Sequence, residues 1–177
     1  MSLIVEDGSN VSGAESYISV ADADTYHSNR GNTTWTALTT AVKEQLLRKS
    51  TDYMVQTYRT QWAGARKYSD QYLDWPRYDV HKFDSPSGYG VYPDYYDDTI
   101  VPGEVKVACA ELAYKAYTET LAPDIDRITK REKVGVLEVE YDTKAGAPYK
   151  KYRAIDNLLR PMLIALGSNT FVGLERA

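Results

Sequence analysis

The chain has 177 residues, 43% hydrophobic and 26% charged, the composition of one folded domain that can bury a core without staples. A net charge of -4 and a pI near 5.2 argue against a protein that lives on the phosphate backbone through a basic stripe. Cys109 is the only cysteine and His27 and His81 the only histidines, which excludes an intramolecular disulfide and a CxxC zinc site; no apolar run reaches the ~18 residues of a membrane span, and Glu6 and Asp7 stand where a secretion signal would be basic.

Residues 1–17 are rich in Gly, Ser and Asn apart from Leu3, Ile4 and Val5, and read as an amino-terminal arm that orders only when something holds it. Ser19-Val20-Ala21-Asp22 is a capping box, so a helix is expected over about 19–30, closed by Gly31. Residues 29–34 form a turn-rich link, with Trp35 and Leu38 packed ahead of the next helix. That helix spans about 40–59: Val42, Leu46, Tyr53, Met54 and Tyr58 recur on one face, and Lys43, Glu44, Arg48, Lys49 and Asp52 fill the other. Beyond it Pro76 pushes Trp75 out of helical geometry, and Trp75 reads as a core anchor.

Residues 78–102 hold Pro86, Pro93, Pro102, Gly88 and Gly90, five tyrosines, and the acids Asp94, Asp97 and Asp98, with no helical or strand period. A loop this long is functional or disordered, and its tyrosines favour contact over a solvated linker. Pro102 sits near the start of a helix over about 103–121, whose small-residue face runs through Val105, Ala108, Cys109, Leu112, Ala113, Ala116 and Tyr117. Residues 127–141 read as a β-hairpin turning near Gly135, with a basic first arm and an acidic second arm. A last helix over about 153–166 carries Ile155, Leu158, Leu159, Met162, Leu163 and Leu166, kinked or divided at Pro161, before a tail at 168–177. The fold expected is a single, mainly α domain: a small helical bundle with one β-hairpin, a long Tyr-rich loop and extended terminal arms.

Chemistry finds little purchase in this pattern. Neither histidine has the sequence context of a catalytic base, and no pair of carboxylates is marked out for hydrolysis. Asp22, Asp24 and His27 could hold a cation weakly, but a solvated helix face explains them better. Asp94, Asp97 and Asp98 lack the spacing of a calcium loop, and Gly88-Tyr89-Gly90 lacks that of a phosphate cradle. No enzyme activity, cofactor or metal is therefore expected. Aromatics interleaved with cations, Trp62, Arg66, Lys67, Tyr68 and Tyr72, or Lys150, Lys151, Tyr152 and Arg153, have the composition of a base-stacking surface. The competing reading is basic side chains lying along core aromatics, which the acidity of the chain favours. Sixteen tyrosines against two phenylalanines suit interfaces, although simple use of Tyr for Phe in a core gives the same count.

Five pieces in order, Glu15 to Asp24, Leu73-Asp74-Trp75-Pro76-Arg77, Ile100 to Lys106, Lys130 to Gly135 and Asp156 to Pro161, resemble a tailed-bacteriophage family. Its members are often labelled DnaT-like single-stranded-DNA-binding proteins and are similar to the head-to-tail connector (adaptor) proteins of the virion neck. The Tyr-rich insert between Arg77 and Ile100 departs from that pattern. The resemblance implies a structural virion protein in the neck between capsid and tail. It would form a ring, commonly dodecameric, with copies of itself on the portal protein, meet a tail or nozzle component, and pass DNA through its lumen without sequence-specific binding or membrane contact. The alternative is the literal label, a replication protein that holds single-stranded DNA. For the neck assembly the candidate partner-binding residues are Leu3, Ile4 and Val5 in the amino-terminal arm, Tyr89, Tyr92, Tyr95 and Tyr96 in the loop, and Phe171, Val172 and Leu174 in the tail.

Overall fold

A computed structural model of the protein describes residues 2–82, 94–123, 131–134, 137–140 and 151–164. The first helix, α1 (Val20–Ser28), starts where the capping box requires: the Ser19 hydroxyl accepts from the Asp22 amide at 3.0 Å and donates to the Asp22 carboxylate at 2.8 Å. Gly31, at φ +68°, reverses the chain, and Asn32 then caps a one-turn helix, α2 (Thr33–Thr36), that buries Trp35. The Thr39 hydroxyl caps α3 (Thr40–Tyr58), which packs along α4 (Gly103–Thr118); α3 buries Leu46, Leu47, Met54 and Tyr58 in the core, and α4 buries Ala108, Cys109, Leu112 and Ala113. The small side chains of α4 let the two helices approach closely. At their contact the Cys109 thiol lies 3.1 Å from the Ser50 hydroxyl and 3.4 Å from that of Thr51.

Between α3 and α4 the chain makes a short antiparallel pair, β1 (Ala65–Arg66) with β2 (Arg77–Tyr78), which no sequence period announces. The expected hairpin is present as β3 (Arg131–Val134) and β4 (Leu137–Glu140), in a register that sets Arg131 opposite Glu140 and Lys133 opposite Glu138; its predicted ends at 127–130 and 141 and its turn at Gly135 lie outside the described residues. Helix α5 (Arg153–Leu159) packs on α4 and gives way to a 3₁₀ turn, Arg160–Met162. The main-α class and the hairpin thus agree with expectation.

Several boundaries and faces do not. The last helix stops at Leu159 rather than running to 166, because Pro161 has no N–H to continue the ladder. Leu163 then extends and bridges Trp62, and the Ile164 amide donates to the Gln61 carbonyl at 2.7 Å. Helix α4 ends at Thr118, not 121, and Tyr117 is exposed instead of lying on the apolar face. Lys43, expected on the solvent face of α3, is buried, its ammonium meeting Asp24 at 2.9 Å and standing 5.9 Å from the Trp35 ring centroid.

The amino-terminal arm is held by its own chain. Glu6 is fully buried and its carboxylate accepts the amides of Gly8, Asn10 and Val11 at 2.8 to 3.1 Å, while Val5 bridges Ser16. Gly8, at φ +112°, lies flat against Thr99, where a Cβ would fall 2.0 Å from the carbonyl oxygen. Among the described residues no helix is long and apolar enough to cross a membrane.

Candidate nucleic-acid interface

Residues 59–82 have no helical period, yet they bury Trp62, Leu73, Asp74, Trp75, Arg77 and Val80. Their backbone groups must be satisfied one by one, and polar side chains do it. Gln71 donates from its amide nitrogen to the carbonyls of Leu73 and Pro76 and accepts from the Tyr68 amide. Arg77 spends its guanidinium on three carbonyls: Nε to Ala63 at 2.8 Å, Nη2 to Gly64 at 2.9 Å and Nη1 to Asp74 at 3.2 Å. The peptide between Trp75 and Pro76 is cis. Trp75 packs edge-on to Trp62, with ring centroids 5.6 Å apart, and lies 6.4 Å from the ring of Tyr96.

Asp74 is the electrostatic centre of this segment. Its side chain is fully buried, its amide donates to the Tyr17 hydroxyl at 3.0 Å, and its Oδ1 accepts both Arg59 Nε at 2.9 Å and Arg66 Nη2 at 2.8 Å. Burial raises the Tyr17 phenol well above its ordinary range, and the Asp74 charge adds to the shift. Burial also lowers the Arg77 pKa, which the nearby Asp74 charge opposes. Two guanidiniums thus share one carboxylate oxygen, and that of Arg77 lies within reach of the same charge. The Arg59 side chain is 46% exposed and that of Arg66 31%, so the surplus positive charge is presented to water.

Exposed tyrosines surround the same stretch of chain. Tyr68, Tyr72 and Tyr78 lie on it, and Tyr95 bridges His81 at its end; their exposures run from 37% to 57%. Lys67 Nζ stands 5.7 Å from the Tyr68 ring and Lys82 Nζ 5.5 Å from that of Tyr96, the cation and aromatic interleaving that base stacking needs. Each lysine also meets a carboxylate, Lys67 with Asp98 at 3.0 Å and Lys82 with Asp94 at 3.5 Å. The loop acids therefore act as partners of these cations.

The remaining sequence candidates are dispersed or take structural parts. Of the first base-stacking group, Trp62 belongs to the core, Arg66 at the end of β1 and Lys67 after it are half-buried, and Tyr68 and Tyr72 are exposed. In the second, Tyr152 is buried, Lys151 and Arg153 are exposed, and Lys150 lies outside the described residues. Asp22 accepts from the Ser19 hydroxyl that caps α1, and Asp24 pairs with Lys43 and accepts from the Trp35 indole at 2.7 Å. His27, expected on a solvated face, is buried, because α1 turns it against α4, where Nε2 meets the Ala110 carbonyl at 3.1 Å and the ring packs on Trp35. Burial lowers the pKa of its imidazole. Among the described residues no group of three His, Cys, Asp or Glu is placed to hold a metal ion. A groove of about 500 Å³ runs between α3 and the end of α4, lined by Lys49, Asp52, Gln56, Tyr117 and Glu119 among others.

Of the expected contact residues, Leu3 packs against the core, Val5 is half-buried and Ile4 is 40% exposed. Tyr95 is open to solvent and Tyr96 is half-buried on Trp75. Tyr89, Tyr92, Phe171, Val172 and Leu174 lie outside the described residues. Sequence reading gave no role to Arg59, Asp74 or Arg77. The signal available was an acid directly before Trp-Pro, in a stretch with three arginines and no period.

A family model described as "Putative DnaT-like ssDNA binding protein" matches residues 1–177. That description agrees with the single-strand reading and says nothing of a connector. No curated protein matches the chain, and no solved structure does.

Proposed function

The chain belongs to the DnaT-like single-stranded-DNA-binding family, and we propose that it acts without catalysis, by holding a single DNA strand against residues 59–78 and Tyr95. The observation that carries this reading is the family match over the whole chain. The site adds a physical route: exposed tyrosine rings offer stacking faces, each worth about 1–3 kcal/mol per base, and Arg59 and Arg66 supply positive charge that Asp74 does not cancel. On a chain with a net charge of -4 this local charge carries the electrostatic attraction, so affinity falls as salt rises. Fluorescence anisotropy of labelled oligothymidine tests it. Binding at low salt, with an affinity falling linearly on logarithmic axes as salt rises, is expected; no binding at low ionic strength refutes it.

The second reading is a head-to-tail connector in the neck of a tailed phage, a ring of copies on a portal protein that also meets a tail component and lets DNA slide through. It is favoured by the pairing of Lys67 with Asp98 and Lys82 with Asp94, which leaves a tyrosine-rich surface low in free cations, and by the net charge of -4, which suits a channel that DNA must not adhere to. Co-purification with a portal protein or with virions supports this reading, and its failure removes it.

A further inference from the structure

Arginine usually meets a carboxylate with two parallel N–H groups, which consumes its fork. Around Asp74 that does not happen. Arg59 gives only Nε and Arg66 only Nη2, both to the same oxygen, Oδ1. Because both nitrogens sit on one atom, at 2.9 and 2.8 Å, the two guanidiniums are held within reach of a single phosphate group. The carboxylate that holds them is fully buried and is shared with the charge of Arg77, whose own hydrogen bonds all go to carbonyls. The cluster therefore keeps surplus positive charge, and it appears on the two arginines that reach solvent. Asp70, the exposed acid of the same loop, accepts from the Asn10 amide and not from either arginine.

From this geometry we propose that Arg59 and Arg66 form a clamp for one phosphodiester of a single DNA strand, with Asp74 fixing the pair and Tyr68 and Tyr72 on the same loop offering stacking faces to the adjoining bases. This rests on the single-strand reading above. A preset pair of forks saves the cost of ordering two long side chains when the strand arrives, which is why a single phosphate can be held on an otherwise acidic protein.

The test uses the full chain, labelled oligothymidine and the variants Arg59→Ala, Arg66→Ala, the double alanine and the double lysine, with Arg30→Ala, whose guanidinium lies over the Tyr26 ring, as a control outside the cluster. Each alanine is expected to weaken binding about tenfold, and loss of the one clamped phosphate in the double alanine to shrink the salt slope by about 0.7. The double lysine keeps charge without the fork and should bind between the parent and the double alanine. Arg30→Ala should match the parent. If the parent binds and the double alanine and double lysine bind equally well, the clamp is overturned while the family reading stands. If the parent does not bind, both fall together. Circular dichroism identifies an alanine variant that loses its fold, and the lysine variant then decides.

Discussion

The helical part of the molecule and the segment from Arg59 to Lys82 bury side chains equally well by opposite means. In α3 and α4 the backbone satisfies itself, so a periodic row of apolar residues is enough to define the contact, and many hydrophobic side chains would serve at Leu46 or Leu112. In the segment the backbone has no ladder beyond two short strands, and the carbonyls of Ala63, Gly64, Leu73, Asp74 and Pro76 depend on Arg77 and Gln71. There the chemistry of each side chain is specified, not only its size. Such a segment tolerates fewer substitutions, and its charged groups, once fixed by burial, are available for work at the surface.

That contrast can be broken most sharply at Asp74. Asp74→Ala leaves Arg77 buried without its balancing charge and releases Arg59 and Arg66, and should cost about 3–5 kcal/mol in urea unfolding. An unchanged midpoint would mean that the carboxylate is not central. Next in size is a pair of conservative changes. Arg77→Lys cannot reach three carbonyls and should cost roughly 2–3 kcal/mol, whereas Leu47→Met, fully buried in α3, should cost less than about 1.5 kcal/mol. Equal losses in thermal melts would erase the distinction between the two regions.

At the start of the helical part, Ser19→Ala removes the cap of α1 and should cost about 1 kcal/mol, without touching the segment. The smallest effect expected is set by pH. Burial between α1 and α4 lowers the His27 pKa in the folded protein, where Asp24, Arg30 and Glu111 also act on it. The unfolded chain binds this proton more readily, so the contribution is present in full above about pH 6.5 and is lost as pH falls toward the folded value. Unfolding free energies at pH 7.5 and 5.5 should differ less in His27→Gln than in the parent.

The same contrast explains what could be read in advance. The capping box at Ser19, the apolar row of α3 and the small-residue face of α4 announce themselves because each is a local or periodic rule. Lys43, His27 and Tyr117 were misplaced because a period assigns a face, and only the neighbouring element decides what covers it. His27 looks polar until α4 closes over it, and Lys43 looks solvated until its ammonium meets Asp24 beside the Trp35 ring. The candidate site was legible in fragments. Arg66, Lys67, Tyr68 and Tyr72 carried a composition suited to base stacking, but nothing showed that Arg59 and Arg66, separated by Trp62 and a glycine turn, would share one oxygen of Asp74.

By itself, then, the sequence determined the mainly helical class, the cap at Ser19, the β3–β4 hairpin and the absence of an intramolecular disulfide, all consequences of short-range geometry and residue inventory. The tertiary structure alone decided that the amino-terminal arm folds back around the Glu6 carboxylate, that Gly8 must lie against Thr99, and that one buried acid gathers three arginines. These depend on groups far apart in the chain, whose charges and hydrogen bonds acquire their strength only when folding removes the water between them.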